Sequence, residues 1–377
     1  MAVAGRTGSF DWERIEAELA PRLEGMEGAR LDRELIERHA AQVASGRLSL
    51  EANRLRDPPG LPDSGEIAVL DALSDADRRR YAETGRRALA EGAVAVAVLN
   101  GGMATRFGGG VKGIAEAFAG RSFLEIKRAQ ASALGPAPFL VMNSFATQAA
   151  TLEFLRERGL EEGVYTLLQQ ISLRLTPRGE LFRGPDGALS PYAPGHGDLP
   201  QALRESGVLE TLQRRGVATV MLSNVDNLGA EPDPVIVGYH LESGAGMTAE
   251  VAPTIAGDAG GAPMQVRGRL QLVEGLRFPK GYDWGRLPFV NTNTAFFSLD
   301  TLARELPLSW FYVEKRVAEE PVVQIEHLIG EVSAFVETAF LAIPRSGPRG
   351  RYYPVKSRGD LEEMRADPAL SERFSSV

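Results

Sequence analysis

An α/β architecture, with a mostly parallel sheet and helices on both faces, is what the 377-residue sequence predicts. Two observations lead there. The segment Ala93–Leu99 is valine-rich and apolar on both parities, the texture of a strand buried on both faces. Similar short apolar segments at 139–142, 219–222 and 340–343 alternate with helical stretches at 122–134, 148–158 and 200–215, the rhythm of strand–helix units. A third observation concerns function. Each of these segments is followed by glycines, amides, an acid or cations, and the carboxyl ends of such strands are where open α/β sheets bind ligands.

Taken in order, residues 1–90 read as a mainly helical lead-in. Apolar residues recur at helical spacing from Trp12 to Leu19, Asp32 is placed to cap a second helix, and Ser74-Asp75-Ala76-Asp77 opens a third. The Pro-, Asp- and Gly-rich stretch 55–65 reads as a loop. Residues 91–345 carry the strand–helix alternation, with loops or a β-insertion at 257–268 and 278–288. Residues 346–377 form a short C-terminal segment with Lys356.

Composition excludes several classes. Apolar residues are 44% and charged residues 24%, as in globular chains. The net charge of −8 argues against nucleic acid held by bulk charge, while leaving room for a small basic pocket. Cysteine is absent, which excludes disulfides, thiolate nucleophiles and cysteine-ligated metal. No apolar run is long enough to span a bilayer, and Met1–Phe10 lacks a signal-peptide stretch. A soluble, cytoplasmic protein with no membrane or nucleic-acid partner is expected. The lysines are Lys112, Lys127, Lys280, Lys315 and Lys356, and every other basic residue is arginine. A lysine in a glycine-rich loop of such a chain points to its compact charge.

The loop after Leu99, Asn100–Gly113, is the most informative. Its glycines allow close backbone approach and free N–H groups for an anion, and Arg106 and Lys112 add positive charge, which suits a polyphosphate. The alternative is a flexible loop whose glycines serve turn geometry. Asp226, just past an apolar strand and flanked by Asn224 and Asn227, is the metal candidate. One carboxylate suffices for Mg²⁺ when substrate phosphates complete the shell, and an Asx turn is the competing reading. In Pro194-Gly195-His196-Gly197-Asp198, two glycines would let backbone amides face a base or phosphate, with His196 as donor, or else form a structural turn. Asn291 and Asn293 would share one strand face, and paired amides suit sugar hydroxyls as readily as a polar strand surface. His39, His240 and His327 read as structural.

Together these segments resemble the eukaryotic-type UTP–glucose-1-phosphate uridylyltransferases and their UDP-sugar relatives. Asn100–Gly113 is similar to that family's nucleotide loop, and Met142-Asn143-Ser144-Phe145 and Pro194–Asp198 match its motifs. Ser223–Gly229 matches Ser-Asn-Ile-Asp-Asn-Leu-Gly with Val225 for Ile, and Asn291-Thr292-Asn293 and Pro354-Val355-Lys356 follow in the family's order. The resemblance implies a Rossmann-like, glycosyltransferase-A-like nucleotidyltransferase fold over 91–345. It implies UTP and a sugar 1-phosphate, chiefly glucose 1-phosphate, as substrates and Mg²⁺ as cofactor. Carried over by motif, Gly101, Gly102, Gln169, Gly195, His196 and Asn224 would hold the nucleotide, with Gln170 one register from Gln169. Asn291 and Asn293 would hold the sugar, Asp226 the metal, and Arg106, Lys112 and Lys356 would act on the phosphates. Ala104 stands for a loop glycine, Val111 for a proline, Thr294 for an asparagine, and Ala252-Pro253-Thr254 lacks a family lysine. The chain ends soon after Lys356, so at most a stub of the family's C-terminal β-helix domain is expected. Alternatives are a UDP-N-acetylhexosamine or broad UDP-sugar pyrophosphorylase, a nucleotide-sugar-dependent glycosyltransferase, and a silent UDP-sugar-binding protein. The oligomeric state is left open.

Overall fold

The structure, a computed structural model, describes residues 10–102, 110–258 and 260–376. An eight-stranded sheet runs through its centre. In chain order its strands are β1 (Ile67–Val69), β2 (Val94–Leu99), β3 (Phe139–Asn143), β4 (Val164–Leu168), β5 (Thr219–Asn224), β6 (Met247–Pro253), β7 (Phe289–Ser298) and β8 (Thr338–Ala342). In space the order is β1-β8-β6-β7-β5-β2-β3-β4, and every neighbouring pair is parallel except the two made by β7. The mostly parallel mixed sheet expected from the sequence is therefore present.

The alternation inside β2 explains the layering. Val96 and Val98 face α4 (Phe123–Ser132) and α5 (Phe145–Glu157), where Phe123, Ile126 and Leu155 close one core. Ala95 and Ala97 face the opposite side, covered by α6 (Leu199–Glu205) and α7 (Val208–Arg214) through Leu199, Leu203 and Leu212. Helices α3 (Asp75–Ala90) and α8 (Pro234–Ser243) cross so closely that a Cβ on Gly85 would lie 1.9 Å from the Pro234 carbonyl, and one on Gly238 1.9 Å from that of Tyr81. Only glycine permits that crossing.

Four features depart from the sequence expectation. The 1–90 lead-in has helices at Trp12–Leu23, Arg33–Ala44 and Asp75–Ala90, but it also contributes β1 to the sheet edge. The expected 200–215 helix breaks at Gly207, whose φ of 71° is left-handed, giving α6 and α7. Strands β4 and β6 were not anticipated. Of the two stretches expected as loops or a β-insertion, 257–268 contributes part of the Ala262–Val266/Arg269–Val273 hairpin, while 278–288 holds a short 3-10 turn at Trp284–Arg286. The C-terminal segment folds as two helices, Arg358–Ala366 and Pro368–Ser375, which pack Leu361, Met364 and Phe374 onto the α4–α5 core. Among the described residues no helix is long and apolar enough to cross a membrane.

Candidate active site

The carboxyl ends of β2, β4 and β5 converge on a cavity of about 360 Å³. Gly101, Gly102, Lys112, Gln169, Gly195, His196, Asn224 and Asp226 all line it. Eight residues singled out from separate sequence segments thus meet in one hollow. Arg106 lies outside the described residues, as does Ala104.

The end of β2 is locked to β3 by buried amides. Asn100 donates to Asn143 Oδ1 at 2.7 Å and to Thr151 Oγ1 at 3.0 Å, and Asn143 donates to Gln148 at 2.8 Å. This network holds Gly101 against Gln169: a Cβ on Gly101 would come within 2.0 Å of Gln169 Nε2. Gln169 is only 6% exposed, and its amide makes no hydrogen bond among the described residues. It presents one donor and one acceptor to the cavity, the pair a nucleobase edge requires. Gln170 does not line the cavity; its backbone N–H donates to Asp198 Oδ2 at 2.6 Å.

Asp198 is structural. It is fully buried and paired with Arg30 at 2.7 Å, and burial pushes its carboxyl up to about 6 against the pull of Arg30. Arg30 also donates to the Leu168 carbonyl at 3.1 Å, so the lead-in clamps the Gln169 turn and the Gly-His-Gly-Asp turn together. The two glycines of that turn serve its packing, the structural alternative raised from the sequence, while Gly195 also lines the cavity. A Cβ on Gly195, at φ 105°, would come 2.6 Å from the His327 carbonyl oxygen, and Gly197 already donates its N–H to that oxygen at 3.0 Å. They let the turn pack on the His327 backbone. His196 Nδ1 accepts from the Ile329 N–H at 3.0 Å, so a neutral ring carries its proton on Nε2 as a donor. Burial pushes its pKa down to about 4, which keeps it neutral.

At the end of β5, Lys112 donates to Asp226 Oδ2 and to the Val355 carbonyl, each at 2.7 Å. Asp226 Oδ1 is buried with no partner. No cluster of three metal-ligating side chains exists among the described residues. One orphaned carboxylate oxygen nonetheless fits Mg²⁺, which takes few protein ligands and fills its shell with substrate oxygens and water. The Asp226 loop is held from beneath by Lys127, a residue to which the sequence reading gave no role. Lys127 is 1% exposed and donates to Ser223 Oγ at 3.2 Å and to the Ala230 carbonyl at 2.5 Å; burial lowers its pKa to about 7. Its only sequence signal was a lysine on the apolar face of α4.

Asn224 Oδ1 accepts from Asn293 Nδ2 at 2.8 Å, and Asn291 Oδ1 accepts from the Asn293 N–H at 3.0 Å. The three amides form a chain leading away from the Gln169 end of the cavity. Asn293 has a left-handed φ of 56° beside a bulge in the β6–β7 ladder, yet Asn291 and Asn293 are both part-buried while Thr292 and Thr294 are buried, the alternation expected of the strand. Thr294 is fully buried with an unpartnered hydroxyl, and it faces the core. Two carboxylates were missed. Glu326 lines the cavity, and burial raises its pKa. Glu274 sits beside Gly261, where an added Cβ would lie 3.0 Å from Glu274 Oε2 and 3.4 Å from Asn291 Cβ; burial, reinforced by Glu331, raises Glu274 to about 7. A lone Glu after a hairpin strand is not distinctive in sequence. Lys356 is exposed and is not among the residues lining the cavity; its N–H donates to Asp360 at 2.6 Å.

The buried histidines make an acid-sensitive frame. His39 and His327 flank Trp310, with His327 stacked at 4.1 Å, and His240 bonds Thr248 at 2.9 Å. Burial pushes His39, His196 and His240 down to about 4 and His327 to about 3. Their contribution to stability is present above the unfolded value of 6.5 and is lost as pH falls toward 4. Asp198 and Glu274, raised to about 6 and 7, and Glu326, also raised by burial, act oppositely in that window but are outnumbered by the four histidines. The thermal midpoint is therefore expected to drop steeply between pH 6.5 and 4, and His240→Gln to flatten the fall; a midpoint constant across that window contradicts this assignment.

Residues 62–370 match the family described as UTP–glucose-1-phosphate uridylyltransferase. The chain is 30% identical over 290 residues to the UTP–glucose-1-phosphate uridylyltransferase of Hordeum vulgare, covering 71% of this chain and 61% of that protein. It spans about three-fifths of the length of the curated relatives it matches. Among solved structures, the Leishmania major UDP-glucose pyrophosphorylase superposes with a TM-score of 0.69 at 24% identity, covering 92% of this chain and 78% of that one. The uridine diphosphate N-acetylglucosamine pyrophosphorylase of Trypanosoma brucei superposes with a TM-score of 0.71 at 19% identity, covering 96% and 79%. These likenesses establish the shared fold, and the match over 62–370, joined to motifs that meet in one cavity, places the chain in the UTP–glucose-1-phosphate uridylyltransferase family.

Proposed function

We propose that this protein transfers the uridylyl group of UTP to glucose 1-phosphate, releasing UDP-glucose and pyrophosphate. The observation that carries the reading is the pairing, in one cavity, of an unpartnered amide at Gln169 with the Lys112–Asp226 pair and its orphaned Oδ1. The first suits a base and the second a polyphosphate. A point mutant of the Leishmania major enzyme is solved in complex with UDP-glucose, which favours the same ligand class here.

The chemistry asks little of side chains as acids or bases. A phosphate monoester's second pKa is about 6, so the sugar phosphate is already anionic near neutral pH. One of its oxygens attacks the α-phosphorus of UTP, the bond from that phosphorus to the bridging oxygen breaks, and pyrophosphate leaves with the electron pair. The obstacle is repulsion between two polyanions, and catalysis is alignment plus positive charge. Gln169 reads the base against the Gly101 backbone, and His196 donates from Nε2 to nearby oxygen. Lys112, held by Asp226 and the Val355 carbonyl, supplies charge at the phosphates. Asp226 would hold Mg²⁺, which supplies charge neutralisation when bound. Asn224, Asn293 and Asn291 extend a chain of amides toward the sugar.

The test is pyrophosphate release from UTP and magnesium with a panel of sugar 1-phosphates. Release that depends on glucose 1-phosphate is expected. Preference for N-acetylglucosamine 1-phosphate would favour the UDP-N-acetylhexosamine reading. No release with any sugar, despite UDP-glucose binding, would leave a glycosyltransferase or a binding protein and overturn the proposal.

A further inference from the structure

A second cavity, of about 600 Å³, lies between the loop at 55–59, the 262–273 hairpin and the turn at 329–335, and shares no lining residue with the nucleotide cavity. Four arginines, Arg56, Arg267, Arg269 and Arg277, face two carboxylates, Asp57 and Glu331, in a chain whose net charge is −8. Glu331 is already answered: it pairs with Arg277 at 3.2 Å and accepts from the Ser309 hydroxyl at 2.6 Å. Arg269 donates to the carbonyls of Ala334 and Val336 and has no carboxylate partner among the described residues. Arg56 and Arg267 are exposed and make neither an ion pair nor a side-chain hydrogen bond among the described residues.

Two polar groups in the wall also lack a hydrogen-bond partner among the described residues. Arg277 Nε is buried without a partner. Gln271 is 7% exposed, lines the cavity, and makes no side-chain hydrogen bond among the described residues. A buried donor left unpaired costs stability, and a wall that carries one, with an unbonded amide, beside an excess of guanidinium charge is built for an incoming acceptor. Guanidinium groups match the oxygens of a phosphate, and the cavity's volume is that of a small-molecule site.

We propose that this cavity is a second anion site, separate from the nucleotide cleft, which takes a small phosphorylated metabolite through Arg56, Arg267, Arg277 and the Gln271 amide. Its wall bears on the sugar end of the cleft by a short route. Strand Arg269–Val273 leads from Gln271 to Glu274, which abuts Gly261, and the Gly261 carbonyl accepts from the Asn291 N–H at 2.7 Å.

Calorimetric titration of the full chain with fructose 1,6-bisphosphate, and separately with inorganic phosphate, in the presence of saturating UDP-glucose tests this. One saturable equivalent is expected, for the bisphosphate alone if a metabolite is the ligand and for both probes if the phosphate group suffices. The double variant Arg56→Ala/Arg267→Ala, whose side chains are exposed, and the single variant Gln271→Leu are each expected to weaken it roughly tenfold or more while UDP-glucose binding is unchanged. Absence of saturable binding by either probe, equal affinity in both variants, or displacement of the probe by UDP-glucose would each overturn the proposal.

Discussion

Asp226→Ala is expected to lower magnesium-dependent pyrophosphate release by roughly 10²–10³-fold, the range seen when one preorganised charge-stabilising group is removed from an active site. The variant loses the orphaned Oδ1 that would face the cation and the Oδ2 that holds Lys112 at 2.7 Å. The fold is expected to survive, because the loop has independent supports. Lys127 holds Ser223 and Ala230, Gln130 donates to the Leu228 carbonyl at 2.9 Å, and the Tyr353 N–H donates to Asn227 at 2.9 Å. Lys112→Ala is expected to cost a comparable factor in rate, and Lys356→Ala, at an exposed position, a smaller one. Thermal midpoint and UDP-glucose binding without metal separate a lost charge from a lost fold. A wild-type rate in Asp226→Ala would end the metal assignment.

The largest effect on stability is expected from Arg351→Met. Arg351 is 3% exposed and grips fully buried Glu250 through bonds of 2.7 and 3.0 Å, with a third to the Glu231 carbonyl at 2.9 Å. Glu250 holds the guanidinium firmly protonated. Removing one partner strands the other charge in the core, at a cost of about 3–5 kcal/mol. Glu250→Leu/Arg351→Met is expected to recover much of that loss, because the penalty lies in the unpaired charge. Denaturant midpoints of the two variants measure this, and a single variant as stable as the parent contradicts it.

Much of the site was legible because its residues sit where strands end. The apolar runs at 93–99, 139–142 and 219–222 became β2, β3 and β5, and the polar residues after them could only gather at one sheet edge. The unread parts follow from interactions distant in sequence. Strand β6 carries Glu250 and ends at Pro253, a pattern that argues against a central strand until Arg351, 101 residues away, neutralises the acid. Likewise β1 is three residues long and is a strand only because β8 lies beside it.

The sequence by itself determined the class of the sheet, the strand ends that bear the site, and the chemistry available there: glycines, amides, one acid and a scarce lysine. The tertiary structure shows how Gln169, the residue the resemblance singled out, reaches the cavity while its neighbour does not: the buried Asp198–Arg30 clamp takes the backbone of Gln170, and Gln169 lines the hollow. It also decided that Lys112 and Asp226 are partners and that Lys127 underpins them. Spacing along a chain sets which face a side chain occupies, whereas a buried charge finds its counterpart only when distant segments have packed and excluded water.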